Sequence, residues 1–290
     1  MFQLFNRDAN TPLYLFHEVT PAYAEDNVTF TFQNPKPRDF ERAKFQWRNA
    51  IDRACVDTRV AHAIAAVNRN GDAVYGMDPI LPIGGGVVLK AKMSGAPWRE
   101  HEPTNMAAVV RQLGYKIVET DRAEIMFEGG DCLRTYDWLG AKEYFFVGLG
   151  VRTNMYAHEY IRQNIRQVHG DRAVLCSINP KPGLAIHISS DGGLPGPSQK
   201  GNVCAVVNPN HWGERGVASL EAVGLKVFQT TEGDGCGGGV VRIGNKVVVA
   251  SGYPQLCDKL AAEGFDLLEL PLDEITKGEA AAHCPLAAIN

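Results

Sequence analysis

Acids, a histidine and a late cysteine follow one another along the chain in an order that suits covalent chemistry. Glu128 and Asp131 flank a Gly-Gly step directly after the apolar run Ala123–Phe127. His187 lies in a second apolar run, and Cys284 lies six residues before the chain end. A thiolate is a strong nucleophile, a histidine moves protons near neutral pH, and paired acids hold a cation. The pattern indicates a cysteine nucleophile that acts on a cationic substrate.

Each of these residues has an ordinary structural alternative. Taken alone, Cys284 is more often a buried structural cysteine, and His187 is more often a hydrogen-bonded core histidine. Strand-like alternation in Gly183–Ile188 places His187 on the same face as Ala185. The acids beside the glycines can equally be turn residues that bond their own backbone. His283 adjoins Cys284, but neighbours in an extended chain point to opposite faces, so we do not expect His283 to be the base.

Three further side chains are candidates for substrate binding. Asp78 follows a short predicted strand, although Asp-Pro is also a common start of a turn. Arg152 lies where a loop leads into a predicted helix, and Arg99 lies in another such loop. Either guanidinium can clamp a substrate carboxylate through paired hydrogen bonds. The alternative for both is an exposed, ion-pairing arginine.

The elements that must position these residues repeat along the chain. Residues 86–118, 203–228 and 246–268 share one pattern of strand, loop, amphipathic helix, glycine and second strand. The glycine is predicted to end each helix with a positive φ. A weaker copy covers residues 144–176, and a fifth has Val28–Phe32 as its first strand and Asp39–Ala66 as helical material. Four or five such copies predict an α/β fold that closes into a ring.

One segment interrupts the repeats without separating them. The Pro- and Gly-rich stretch Asp191–Gly201 is the best candidate for a surface loop and is a candidate lid. The repeats continue across it, so it is not predicted to be a linker between domains. We therefore expect residues 1–290 to form a single catalytic domain.

Composition excludes several classes of function. The net charge is −4 and charged residues make up 21% of the chain, with no basic patch for nucleic acid. The N-terminus lacks the pattern of a signal peptide, and no run of 18 apolar residues exists. Seven cysteines without a CxxC pair indicate free thiols in a reducing compartment rather than disulfides or a zinc site. We expect a cytoplasmic protein without nucleic-acid or membrane partner, with a homo-oligomer possible.

Together these residues resemble the guanidino-group-modifying enzymes: arginine deiminase, dimethylarginine dimethylaminohydrolase and the amidinotransferases. Glu128–Asp131 resembles their acid-Gly-Gly-Asp motif, and Gly148–Asn154 resembles their Gly-x-x-x-Arg-Thr-Asn motif. His187 and Cys284 match their catalytic histidine and near-terminal nucleophile, and Asp78 matches their first acidic loop. The resemblance covers residues 70–290, whereas the first 70 residues match poorly.

The resemblance implies a fivefold pseudosymmetric α/β propeller of the pentein type and a covalent mechanism. Cys284 would attack the guanidinium carbon. His187 would protonate the departing amine and then activate water to hydrolyse the thiouronium intermediate. Asp78 and Glu128 would hold the guanidinium, Asp131 would add to this acidic floor, and Glu128 would also orient His187. No metal or cofactor is implied.

The resemblance leaves the subtype open. The chain is nearest in length to the dimethylarginine hydrolases and too short for the helical insertion of arginine deiminases. Met77 stands where those hydrolases have a second acid, and His283 replaces a small or polar residue before the cysteine. Both changes predict an unusual substituent on the substrate nitrogen. Three functions remain: a hydrolase of a free arginine derivative, an amidinotransferase that passes the amidino group to an amine, and a non-catalytic propeller that binds a macromolecule.

Overall fold

Strands and helices alternate along the chain, as the repeats predict. The computed structural model describes residues 2–5, 13–25, 37–56, 60–140, 142–183, 186–231, 235–278 and 280–289. The strands of this part are β1 (Phe2–Phe5), β2 (Leu13–His17), β3 (His62–Ala65), β4 (Ile80–Gly84), β5 (Val87–Lys90), β6 (Lys116–Val118), β7 (Cys132–Arg134), β8 (Glu143–Gly148), β9 (Ala173–Ile178), β10 (Gly192–Pro197), β11 (Val203–Val207), β12 (Lys226–Gln229), β13 (Val241–Ile243), β14 (Lys246–Ala250), β15 (Asp266–Leu270) and β16 (Leu286–Ile289). The α-helices are α1 (Ala22–Glu25), α2 (Phe40–Ile51), α3 (Glu102–Gln112), α4 (Met155–His169), α5 (Pro209–Ala222) and α6 (Pro254–Ala262).

The strands form five small sheets. Four of them have the orders β4-β5-β6, β7-β8-β9, β10-β11-β12 and β13-β14-β15, and the fifth has the order β1-β3-β2-β16. In each of the first four, the middle strand is antiparallel to the strand before it and parallel to the strand after it. A parallel pair needs a crossover, which the intervening helix supplies. The five sheets confirm the predicted α/β class and its fivefold arrangement.

The fifth sheet joins the two ends of the described chain. Strand β16 is antiparallel to β2, with Leu286 opposite Phe16 and Ile289 opposite Leu13. Strand β2 is parallel to β3, which matches the pattern of the other four sheets. We call β4, β7, β10, β13 and β16 the inner strands, because β16 packs against β4, and β10 packs against both β7 and β13. The repeats therefore close into a ring.

Local sequence signals set the ends of the helices. Gly114, Gly224 and Gly264 follow α3, α5 and α6 with φ of 93°, 92° and 91°, which confirms their prediction as helix-ending residues. At the start of α4, the side chain of Asn154 accepts a hydrogen bond of 3.0 Å from the backbone N–H of Ala157. The helices thus begin and end where capping residues allow.

The N-terminal repeat differs from its prediction. Val28–Phe32, its expected first strand, lies outside the described residues. The segment Asp39–Ala66 is helical only over α2 and the π-helical turn Asp52–Val56, and it ends in strand β3. The expectation of helix up to Ala66 was wrong because this apolar run pairs with β2 on one side and β1 on the other.

The expected surface loop Asp191–Gly201 is mostly a buried inner strand. Gly192–Leu194 and the two residues after them are buried, and β10 pairs with β11. A Cβ at Gly193 would lie 2.1 Å from the carbonyl oxygen of Val240. The glycines here allow close packing against β13 rather than the opening of a lid.

Two general features bear on the chemistry. The six cysteines whose side chains the structure describes are free thiols: Cys55, Cys132, Cys176, Cys204, Cys257 and Cys284. None of the described helices has the length and apolar composition that crossing a bilayer requires.

Candidate active site

Four predicted site residues lie just before the first residues of inner strands. Asp78 precedes β4, Glu128 precedes β7, His187 precedes β10 and Cys284 precedes β16. The ring brings these four loops together. Asp78, His187 and Cys284 line one pocket with the two predicted arginines, and Glu128 contacts that pocket through His187. All of these side chains are buried in the described structure.

The Gly-Gly step lets the loop before β7 approach the loop before β4. A Cβ at Gly129 would lie 2.1 Å from the carbonyl oxygen of Ile80. A Cβ at Gly130 would lie 2.6 Å from Oδ1 of Asp78 and 2.8 Å from Nδ1 of His187. Neither glycine has a positive φ. Close approach, rather than an unusual backbone angle, is therefore the reason for glycine at both positions.

The alternating neighbours of His187 predicted that it lies in a strand. It lies instead directly before the 3₁₀ turn Ile188–Ser190. Its Nε2 lies 2.9 Å from Oε2 of Glu128, and its Nδ1 lies 3.7 Å from Oδ1 of Asp78. Burial opposes the charge on the ring, but Asp78 and Glu128 outweigh it and raise the pKa of His187 to about 9. The ring is therefore protonated at neutral pH.

The two acids differ in how fully they are bonded. Glu128 uses both oxygens, because Oε1 also accepts a hydrogen bond of 2.9 Å from Nη1 of Arg152. Burial opposes its ionisation, yet His187 and Arg152 lower the pKa of Glu128 to about 2. Asp78 accepts a hydrogen bond of 2.7 Å from Arg99 at Oδ2. Its Oδ1 is buried and has no hydrogen-bond partner among the described residues, which leaves it open to a cation.

The two arginines are held with different strength. Arg99 also donates from Nε and Nη2 to the two carboxylate oxygens of Glu102, each at 2.8 Å. Arg152 makes the single bond to Glu128, and its guanidinium lies 5.4 Å from the ring centre of Trp98. Arg99 is thus fixed between two buried acids, whereas Arg152 keeps donors for another partner.

Cys284 is buried at the pocket and holds its proton. The backbone N–H of Ala281 lies 3.4 Å from its Sγ. Burial, with the nearby charge of Asp78, raises the pKa of Cys284 to about 12, although hydrogen bonds from Ala281, Ser189 and Ser190 act against the shift. The resting group is a thiol, and a cation beside it would favour the thiolate.

Asp131 does not line this pocket, in contrast to the expectation that it adds to an acidic floor. Its Oδ1 accepts a hydrogen bond of 3.3 Å from the backbone N–H of Ile188. Burial raises the pKa of Asp131 to about 6, against the lowering effect of His187 and of a hydrogen bond from Thr153. Asp131 therefore fixes the backbone that follows His187.

The acid and histidine cluster could hold a cation of more than one kind. Asp78, Glu128 and His187 offer three ligand atoms that lie within 4.8 Å of one another. The two carboxylates suit a guanidinium, whereas a divalent metal ion would also require His187 to lose its proton. The absence of a metal requirement remains a prediction.

Comparison with known proteins identifies the fold. No protein-family model matches the sequence, and no curated protein matches it. The N-terminal domain of ArgZ, an arginine dihydrolase from the ornithine-ammonia cycle in Cyanobacteria, was solved as a cysteine-to-serine mutant bound to substrate. It aligns with a TM-score of 0.81 and 20% identity over 96% of this chain and 98% of that one. A cysteine-to-serine mutant of DDAH from Pseudomonas aeruginosa, complexed with citrulline, aligns with a TM-score of 0.77 and 18% identity over 96% and 99%.

This chain has the fold of the guanidino-group-modifying enzymes. The resemblance inferred from the motifs is thereby confirmed for the fold. A longer protein with the same fold, unliganded AgrE, aligns with a TM-score of 0.78 and 18% identity over 97% of this chain and 40% of that one. At these identities the chemistry rests on the residues of the pocket.

Within this guanidino-modifying fold, sequence reasoning missed three contributors. Glu102 accepts two hydrogen bonds from Arg99, but from the sequence it resembles any acid in the first turn of a helix. Ser189 and Ser190, which act to lower the pKa of Cys284, form a Ser-Ser pair without any motif. Glu102 lies only three residues after Arg99, whereas no local signal marks the two serines, because Cys284 is distant in sequence.

Proposed function

We propose that this protein hydrolyses a C–N bond of the guanidino group of an arginine derivative and leaves a ureido product. The observation that carries this proposal is that Cys284, His187 and Asp78 line the same pocket, with Glu128 bonded to His187. Structural neighbours include an arginine dihydrolase and a dimethylarginine dimethylaminohydrolase, which supports an arginine derivative as the substrate.

The guanidinium would bind first at Asp78. Its Oδ1 is buried and accepts no hydrogen bond from the described residues, so a cationic donor would recover the free energy that the missing bond costs. The same cation, placed beside Cys284, would lower the pKa of the thiol from its raised resting value. In this way the substrate would help to generate the thiolate that attacks it.

The covalent steps would use the proton on His187. With the cation bound, the Cys284 thiol loses its proton to solvent. The thiolate forms a bond to the guanidinium carbon, and the C–N bond breaks as the departing nitrogen takes a proton from the imidazolium. The neutral imidazole then removes a proton from water, which attacks the thiouronium carbon. The C–S bond breaks as the hydroxyl proton passes to the sulfur, which restores the thiol, and the neutral ureido product leaves. Glu128 occupies Nε2, so Nδ1 is the nitrogen that would exchange protons.

The substrate must displace protein groups to enter. The pocket has a volume of only about 20 Å³, which corresponds to about one water molecule. Arg152, with one hydrogen bond to Glu128, is the more weakly held of the two arginines. It is therefore our candidate for turning toward a substrate carboxylate, while Arg99 would stay between Asp78 and Glu102.

The decisive experiment uses arginine, methylated arginines and agmatine as substrates. Ureido product is measured with and without an amine acceptor, and transfer to the amine would identify an amidinotransferase instead. No product of either kind from any of these guanidines would favour a non-catalytic binding protein.

We predict that Cys284→Ser lowers turnover by several orders of magnitude, as is typical for the loss of a nucleophile. The matched control is Cys176→Ser, which changes a half-buried cysteine in β9 and should retain full activity. Circular dichroism would establish that both variants are folded. If the Cys284 variant keeps more than about a tenth of the wild-type rate, Cys284 is not the nucleophile.

A further inference from the structure

A second cavity lies further along the same inner strands. Its volume is about 330 Å³, within the range of small-molecule sites. All five inner strands contribute side chains to it, whereas the candidate active site lies before these strands begin. The inner-strand residues that line it are Leu81, Pro82, Cys132, Leu133, Arg134, Leu194, Val241, Arg242, Leu286 and Ala288.

Two pairs of adjacent residues separate this second cavity from the candidate active site. Met77 and His283 line the second cavity, and their neighbours Asp78 and Cys284 line the active-site pocket. The backbone N–H of Met77 donates a hydrogen bond of 3.3 Å to the carbonyl oxygen of Cys284, which ties the two pairs together. The two cavities are therefore separated by the backbone of these adjacent residues, and they have no lining residue in common.

Two arginines and one aspartate line the second cavity. Arg242 donates to the carbonyl oxygens of Pro195 and Pro197 at 2.6 and 2.7 Å, and no carboxylate among the described residues pairs with it. Arg134 pairs with Glu143, and its buried Nη1 has no hydrogen-bond partner in the described part of the chain. Asp137 is the one carboxylate among the described lining residues, and it is exposed. An anion would give Arg242 a partner of opposite charge.

Aromatic side chains form another part of the lining. The rings of Tyr136 and Trp138 lie 5.1 Å apart at an angle of 49°, and Tyr14 also lines the cavity. The guanidinium of Arg134 lies 4.6 Å from the ring centre of Tyr136. Such surfaces favour a flat apolar group. Nδ1 of His283 is buried and lacks a partner among the described residues, so one further polar contact is open.

We propose that the second cavity binds a small aromatic carboxylate, whose anionic group is drawn to Arg242 and Arg134 and whose ring lies against Tyr136 and Trp138. Arg242 is half-buried and has no carboxylate partner among the described residues, and a bound carboxylate would supply one. The proposal does not depend on the hydrolase activity, because no residue of the candidate active site takes part.

Isothermal titration calorimetry with three probes of the same shape tests the recognition of charge. Indole-3-acetate should bind the full chain at least tenfold more tightly than its neutral counterpart indole-3-acetamide, and the cation tryptamine should bind least. Excess agmatine should not compete. Equal binding of the acid and the amide, competition by agmatine, or no heat at millimolar indole-3-acetate would each overturn the proposal.

Variants test the position of the site. Arg242→Gln keeps an amide donor but removes the charge, and it should weaken indole-3-acetate binding at least tenfold. Arg215→Gln, on the exposed face of α5, is the matched control and should bind like the wild type. Ala288→Trp places a large side chain in the cavity from a half-buried position of β16 and should abolish binding. If folded Ala288→Trp still binds, the ligand lies elsewhere; this test holds even if Arg242→Gln fails to fold.

Discussion

Burial and neighbouring charges decide where the protons lie in the candidate active site. The pKa of His187 is about 9 and that of Cys284 about 12, so both hold a proton at neutral pH. Glu128, with a pKa of about 2, is ionised. The site therefore already carries the proton that a departing amine needs. The nucleophile, in contrast, must still be formed, and a cationic substrate is the group that would promote this.

The charge on His187 makes stability depend on pH in a defined window. Its pKa in the folded protein, about 9, lies above the ordinary value of 6.5, so folding strengthens proton binding. This contribution is complete below pH 6.5 and is lost as the pH rises through 9. We predict that the free energy of unfolding falls between pH 6.5 and 9, and that His187→Gln removes most of this fall.

Urea unfolding at several pH values across this window measures the effect. His101→Gln, which changes an exposed histidine just before α3, is the control and should keep the wild-type slope. Identical pH profiles for wild type and His187→Gln would show that the ring is not held protonated by Asp78 and Glu128.

The role of Arg152 in binding the substrate carboxylate can be tested with two guanidines, one of which lacks that carboxylate. We predict that Arg152→Ala raises KM strongly for arginine and little for agmatine, which lacks the carboxylate. The difference should be on the order of 1.5–3 kcal/mol, as for a charged hydrogen bond. Arg162→Ala, on the exposed face of α4, should leave both KM values unchanged. Equal losses with both substrates would mean that Arg152 acts only by holding Glu128.

At the level of elements, the chemistry lies in the loops that lead into the inner strands. The loops before β4 and β7 are joined by a hydrogen bond of 2.8 Å from the N–H of Gly129 to the carbonyl oxygen of Asp78. The space between them is too small for a side chain at either glycine of the Glu128–Asp131 motif. These loops position the acids, and the strands behind them keep the loops in place.

We predict that Gly130→Ala impairs the site, because its methyl group would meet Asp78 and His187. Such overpacking typically costs about 1–3 kcal/mol, and here it would also push His187 from Glu128. Gly150→Ala is the matched control, since no heavy atom lies within 4 Å of its Cβ position and its φ is not positive. Thermal unfolding and turnover are the measurements. A Gly130→Ala variant with wild-type values of both would contradict the close packing.

At the scale of the whole molecule, Cys284 depends on the closure of the ring. It lies just before β16, which pairs with β2 from the other end of the described chain and packs against β4. Leu286, the first residue of β16, is 3% exposed and belongs to the largest core cluster. The nucleophile is therefore positioned by contacts between segments that are far apart in sequence.

We predict that Leu286→Ala destabilises the protein by about 2–5 kcal/mol, the usual cost of a large cavity in a core. Opening of β16 should also expose Cys284, so its alkylation by iodoacetamide under native conditions should become faster. Leu267→Ala, at a half-buried position in β15, is the control and should cost less without changing the alkylation rate. Unchanged alkylation in a destabilised Leu286→Ala variant would show that β16 does not protect the thiol.

The sequence by itself determined the repeated elements and the order of the chemistry along them. Capping residues and glycines such as Gly114 act within one or two turns, so helix ends can be predicted locally. Strands such as β11 and β14 show as short apolar runs because helices and neighbouring sheets cover them. The motif around Glu128, together with His187 and Cys284, was sufficient to predict the fold through its resemblance to known enzymes.

Only the tertiary structure decided which groups meet. The pairing of Arg99 with Asp78, the effect of Ser189 and Ser190 on the pKa of Cys284, and the place of Asp131 behind His187 all depend on contacts that no local pattern encodes. Tertiary contacts also explain β10. Its glycines and prolines predict a loop, but pairing with β11 and packing against β13 make the segment a strand. Local patterns reflect interactions within an element, whereas burial and charge pairing arise only when the ring closes.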